Sequence, residues 1–137
     1  MRILGIDYGD ARTGVAISDE MGWTAQGLYT LHEHNPGAVA DHIMQLIKEY
    51  HVDKIVVGLP RNMDGSEGFR GKATRGFVQE LEQRTSLPII LWDERLSTVA
   101  ASRSLSETNV RGKKRKAVID TVAATYILQG YLDGINS

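Results

Sequence analysis

The run Ile3-Leu4-Gly5-Ile6 carries no polar side chain on either side of a period-two alternation, so it is read as a strand covered on both faces. Such a strand requires a sheet with one layer of structure above it and another below. Asp7 ends the run and opens the glycine-punctuated turn Tyr8-Gly9-Asp10-Ala11-Arg12-Thr13-Gly14, after which Val15-Ala16-Ile17 forms a second apolar run. An ionised carboxylate at the end of a doubly covered strand is costly to desolvate unless a cation stands beside it. A metal ion, alone or bound to phosphate, would supply that cation.

The runs over 2–7, 13–19 and 24–31 read as three successive strands joined by short glycine-containing turns, an antiparallel meander. Asn35-Pro36 is an N-cap followed by proline at the first helical position, and Val39, Ile43, Leu46, Ile47 and Tyr50 recur at helical spacing, which predicts a helix over 36–50. A buried strand over 54–60, a polar glycine-rich loop, a helix near 72–85 and a buried strand over 88–92 follow. Strands separated by helices pair in parallel through right-handed crossovers. Two helices, near 97–106 and 114–133, finish the chain. With 137 residues and no repeat or linker, the expectation is one α/β domain over 1–137.

Composition removes several function classes. There is no cysteine, which excludes disulfides, thiolate metal sites and a cysteine nucleophile. No stretch approaches the roughly 20 apolar residues of a membrane helix, and the N-terminus enters a strand without the build of a signal peptide. A cytoplasmic protein with no membrane partner is expected. The net charge of −1 gives no bulk attraction to nucleic acid, but it hides a local patch.

Carboxylates recur where folding alone would not choose them. Asp7 ends the first strand, Asp93 and Glu94 end the last, and Asp120 interrupts the apolar stretch Ala117-Val118-Ile119-Asp120-Thr121-Val122-Ala123-Ala124. In a parallel sheet these strand ends lie on the edge that forms the ligand crevice of open α/β folds. Acids gathered there repel one another unless divalent cations hold them, and Mg²⁺ bound by a few carboxylates and substrate phosphate suits phosphodiester hydrolysis. Adjacent residues leaving a strand point to opposite faces, so only one of Asp93 and Glu94 enters such a site.

Taken in order, Gly5-Ile6-Asp7-Tyr8-Gly9, Arg12-Thr13-Gly14-Val15-Ala16-Ile17-Ser18-Asp19, Val57-Gly58-Leu59-Pro60 with Asn62-Met63-Asp64-Gly65, Trp92-Asp93-Glu94-Arg95-Leu96-Ser97-Thr98, and Lys116 to Asp120 with Ala123-Ala124 resemble the YqgF family of RNase H-like nucleases. That group includes the bacterial pre-16S ribosomal RNA nuclease and is related to Holliday junction resolvases. The resemblance spans nearly the whole chain. It implies a three-layer RNase H-like fold, a five-stranded mixed sheet of order 3-2-1-4-5, and Mg²⁺- or Mn²⁺-dependent endonuclease chemistry with Asp7, Glu94 and Asp120 as catalytic and metal-binding residues. RNase H-like nucleases commonly place a carboxylate at the end of the fourth strand, where this chain has Gly58-Leu59-Pro60. Glu94 must then reach in from the fifth.

The basic patch is Arg111-Gly112-Lys113-Lys114-Arg115-Lys116, five cations in six residues just ahead of the helix bearing Asp120. Beside a phosphodiester site it reads as a phosphate-contacting run that positions substrate without reading its sequence. Arg70 and Lys72, with Arg61 and Arg75 around a loop of three glycines, form a candidate second arm; Arg12 and Arg95, from the motifs above, complete the candidate nucleic-acid-binding set. His32-Glu33-His34 lacks the further ligands of a zinc site and reads as a polar turn, while Trp23 and Trp92 adjoin apolar strand segments and are expected to be packed.

These features fit precursor ribosomal RNA or branched DNA as partner, and a monomer or a homodimer. The leading expectation is 5′ maturation of precursor 16S ribosomal RNA, with junction resolution as the alternative. Two other classes share parts of the pattern. The Asp-x-Gly opening also resembles the phosphate hairpin of actin-like ATPases and sugar kinases, which need a second such domain, and a catalytically silent nucleic-acid-binding module would use the basic run alone.

Overall fold

The computed structural model describes residues 1–96 and 113–136, with side chains described for 1–95 and 121–136. Strand β1 (Arg2–Asp7) pairs antiparallel with β2 (Arg12–Ser18), which pairs antiparallel with β3 (Ala25–His32). Helix α1 (Pro36–Tyr50) crosses over to β4 (Val52–Leu59), parallel to β1, and α2 (Phe69–Glu82) crosses to β5 (Ile89–Asp93), parallel to β4. A 3₁₀ turn (Glu94–Leu96) follows β5, and α3 (Lys113–Asn136) closes the described chain. The sheet order is β3-β2-β1-β4-β5, as the family resemblance implies.

Local chemistry sets most element ends. Asn35 Oδ1 accepts hydrogen bonds from the backbone N–H groups of Gly37 (2.8 Å) and Ala38 (3.1 Å), and Pro36 starts α1 with a residue that needs no partner for an N–H. Helix α2 begins three residues before the predicted position. Its cap, Gly68, has no side chain to announce it, and Phe69 at its first position is 77% exposed, outside the apolar stripe of Thr74, Phe77, Val78 and Leu81. The helix predicted near 97–106 lies outside the described residues.

The double coverage demanded by β1 is present. Leu4 and Ile6 point into a core shared with Val39, Ile43 and Leu46 of α1 and Phe77 and Leu81 of α2. Ile3, one residue out of phase, packs instead with Ala123, Ala124, Ile127 and Leu128 of α3. Glycine lets α3 lie close against the sheet. A Cβ on Gly5 would stand 2.7 Å from Leu128 Cβ, and one on Gly27 would stand 2.5 Å from Thr121 Cγ2, so a side chain at either position forces the helix outward.

The two tryptophans differ. Trp92 packs edge-on to Tyr131 with ring centroids 5.9 Å apart, as expected. Trp23 is 57% exposed, contrary to the reading from its apolar neighbours. It belongs to the β2–β3 turn, where Asp19 Oδ1 accepts from the N–H groups of Trp23 (2.8 Å) and Thr24 (3.1 Å) and holds the indole beyond the sheet. No helix among the described residues is long and apolar enough to cross a membrane.

Candidate active site

Asp7 and Glu94 are both buried, at 3% and 7% exposure. Asp7 ends β1 and, by alternation with Ile3 and Gly5, faces the α3 side of the sheet. Glu94 opens the 3₁₀ turn after β5. Between β1 and β5 runs β4, and near its end Gly58 lies opposite Trp92 in the register. A Cβ on Gly58 would stand 3.1 Å from Glu94 Oε1 and would collide with Ile127. The fourth strand therefore contributes space, and the carboxylate from the fifth lies over it.

Helix α3 brings its N-terminal part to the same edge. Along β4, Lys54 Nζ donates to Tyr131 Oη (2.9 Å), while Gly58, four residues later, meets Ile127, four residues earlier on the helix. Helix and strand thus run in opposite directions. Ala124 lies over Gly5, and Thr121 Oγ1 shares a hydrogen bond of 2.8 Å with Thr30 Oγ1 on β3. Continuing this direction carries the backbone of Asp120 toward the strand ends that bear Asp7 and Glu94. The side chain of Asp120 lies outside the described residues, and among the described residues no group of three His, Cys, Asp or Glu side chains forms a metal-binding cluster.

Asp93 has different surroundings. Its Oδ1 accepts from the backbone N–H (2.9 Å) and Nε (3.2 Å) of Arg95, and its Oδ2 accepts from Arg95 Nη2 (2.8 Å). Arg61 Nη1 stands 3.8 Å from the same Oδ2. The Arg95 hydrogen bonds, with Arg61 adding to the field, hold the Asp93 carboxyl below the usual carboxylate range despite the opposing effect of burial. The Arg95 guanidinium is drawn up in response by Asp93.

The proposed cations are placed unevenly. Arg12 shares the face of Asp7 by alternation, two residues before Gly14, the partner of Asp7 in the register. Arg70 and Lys72 are exposed in the first turn of α2. Arg75 is committed to Glu67 through Nε (2.8 and 2.9 Å), and Arg61 also approaches Glu67 at 3.9 Å. Arg111 lies outside the described residues; Lys113, Lys114, Arg115 and Lys116 form the first backbone turns of α3, with side chains outside the described set. His32 ends β3, and Glu33 Oε1 accepts from the N–H groups of His34 (3.0 Å) and Asn35 (3.1 Å) in the link to α1.

Two features were not read from the sequence. Gly58 as the seat of Glu94 depends on the β4–β5 register, and the link from Arg61 to Asp93 joins residues remote in the chain. A glycine at the position where related nucleases place an acid was the available sign of the first.

A family model described as "RuvX: Holliday junction resolvase" matches residues 1–134. A Bacillus cytotoxicus protein, named as a candidate pre-16S rRNA nuclease, is 55% identical over 135 residues, covering 97% of this chain and 98% of its own. A Bacillus licheniformis protein named in the same way is 52% identical over 139 residues, covering both chains fully. Among solved structures, Thermus thermophilus RuvC in complex with a Holliday junction substrate is similar with a TM-score of 0.62 at 12% identity, covering 100% of this chain and 98% of that one. The fowlpox virus Holliday junction resolvase gives a TM-score of 0.55 at 14% identity, covering 98% and 99%. Those two likenesses establish the fold, the RNase H-like arrangement of these resolvases, and the full-length family match establishes kinship: this chain belongs to the RuvX family.

Proposed function

We propose that the chain is a divalent-metal-dependent endonuclease that cleaves precursor 16S ribosomal RNA during 5′ maturation. The observation that carries the reading is the pair of buried carboxylates, Asp7 at the end of β1 and Glu94 just after β5, on either side of the strand that bears Gly58. The donors are oxygen atoms of hard carboxylates, which suit Mg²⁺ or Mn²⁺ over softer ions. Asp7, Glu94 and Asp120 would hold the metal, which when bound polarises the scissile phosphate and lowers the pKa of water.

Other residues bind and orient the substrate. Arg12, Arg70, Lys72, Arg111 and Lys113 to Lys116 contact phosphates on either side of the acidic centre, and such contacts fix register without reading bases. Arg95 belongs to this set only through the edge of its guanidinium not bonded to Asp93. The names of the Bacillus relatives favour an RNA substrate. The family description favours a second reading, cleavage of branched DNA, which calls for two sites and hence a homodimer. The chain acts as one domain in the cytoplasm.

The test is incubation with precursor 16S RNA and with a four-way DNA junction, each with Mg²⁺, Mn²⁺ or chelator. Metal-dependent cutting of the RNA is expected. Cutting of the junction alone transfers the assignment to the second reading, and cutting of neither overturns both.

A further inference from the structure

Asp93 accepts from its neighbour but one: its carboxylate takes the backbone N–H and the guanidinium of Arg95, and these bonds span Glu94. A side chain bonded to the N–H two residues on closes an Asx-type turn and restricts the backbone of the residue between. That residue is the buried acid whose Oε1 lies over Gly58. The same carboxylate meets Arg61 at 3.8 Å, and Arg95 Nη1 donates to Met63 O at 3.5 Å, so the turn is tied to the loop that leaves β4. Glu67, near the loop's end, joins both Arg61 and Arg75 of α2.

Stability does not account for this clasp. Arg95 and Arg61 are 34% and 32% exposed at the side chain, and pairs in such positions are typically worth about 0–1 kcal/mol. Geometry does. A reacting group misplaced by about 1 Å can lose about 100-fold in rate, and the backbone of Glu94 has no regular strand or α-helix to hold it. A carboxylate already hydrogen-bonded to one arginine and paired with a second is also a poor competitor for a metal ion.

We propose that Asp93 is a positioning residue: with Arg95 and Arg61 it sets the turn that aims Glu94 at the site. This rests on the nuclease reading of Glu94. The comparison uses Asp93→Ala, Asp93→Asn, Arg95→Ala, Asp93→Ala with Arg95→Ala, and Glu94→Gln, with precursor 16S RNA as substrate and Mg²⁺ varied. Asp93→Ala is expected to lower kcat about tenfold or more with KM nearly unchanged. Asp93→Asn should recover part of the rate, because its amide oxygen still accepts the Arg95 N–H, and the double variant should be no worse than either alanine variant alone.

A second readout needs no metal. By amide hydrogen exchange in metal-free protein, the Arg95 N–H should exchange at least about tenfold faster in Asp93→Ala than in the unsubstituted chain, as expected on loss of its acceptor. Wild-type kcat and unchanged Arg95 exchange in both Asp93 variants, with Glu94→Gln inactive, overturn the positioning role alone. Loss in Asp93→Asn as deep as in Glu94→Gln, with Arg95→Ala active, makes Asp93 a ligand and also overturns it. Full activity in Glu94→Gln overturns the reading beneath it.

Discussion

Gly58 and Glu94 share one space: a methyl group on Gly58 would stand 3.1 Å from Glu94 Oε1 and 3.0 Å from Ile127 Cγ1. Gly58→Ala therefore overpacks this edge of the sheet, at an expected cost of about 1–3 kcal/mol in unfolding free energy. It should also displace the Glu94 carboxylate and slow cleavage about tenfold or more. Urea denaturation and single-turnover cleavage measure the two effects separately; an unaltered rate in a destabilised variant would mean that Ile127 alone gives way.

Asp7→Asn is nearly isosteric and removes one buried negative charge from a site that holds another. Cleavage of precursor RNA should fall at least about 100-fold, beyond the usual loss of a single oriented contact. The metal-free variant should still unfold in one cooperative thermal transition, since the substitution keeps the shape of the side chain. Wild-type turnover would remove Asp7 from the site.

Neutralising Lys113, Lys114, Arg115 and Lys116 together should weaken binding to RNA and DNA alike. With about four fewer cations set against phosphate, the slope of log K against log salt should shrink by about 3 units on single strands and by about 3.6 on duplex DNA. Filter binding between low and moderate salt gives the slope directly, and an unchanged slope would turn this run away from nucleic acid.

Acid should loosen the clasp at Asp93. Hydrogen bonds from Arg95 lower the Asp93 pKa and those from Arg75 lower that of Glu67, so each binds a proton less readily folded than unfolded. Their contribution is complete above about pH 4.5, the ordinary carboxyl range, and is lost as the pH falls through the lower folded values. Thermal melts between pH 7 and pH 2.5 should show that loss only in the acidic arm, and Asp93→Asn should flatten it.

The meander, α1 and the parallel strands were legible because apolar runs and the Asn35-Pro36 cap carry strong local signals. The start of α2 was hidden by a glycine cap and an exposed Phe69, which break the apolar period. Trp23 misled because closeness in sequence to a strand does not place a turn residue under it. At the site, Asp7 declared itself as a charge ending a doubly covered strand. The sequence favoured Glu94 over Asp93 but did not show the surroundings of Asp93, since Arg61, which approaches it from the β4 side, becomes its neighbour through the register of β4 and β5.

The close seating of α3 on Gly5, Gly27 and Gly58 has a consequence for how the protein is made. Among the described elements the ribosome delivers β1 before the others and α3 after them, and until α3 emerges the described residues give Ile3, Ala16 and Val56 no apolar cover from outside the sheet. A nascent chain can thus assemble the α1–α2 side of its sheet early, while the side bearing Asp7 stays open to water. On the proposed reading, with Asp120 of α3 among the site residues, the set of acids is complete only once α3 has joined the sheet.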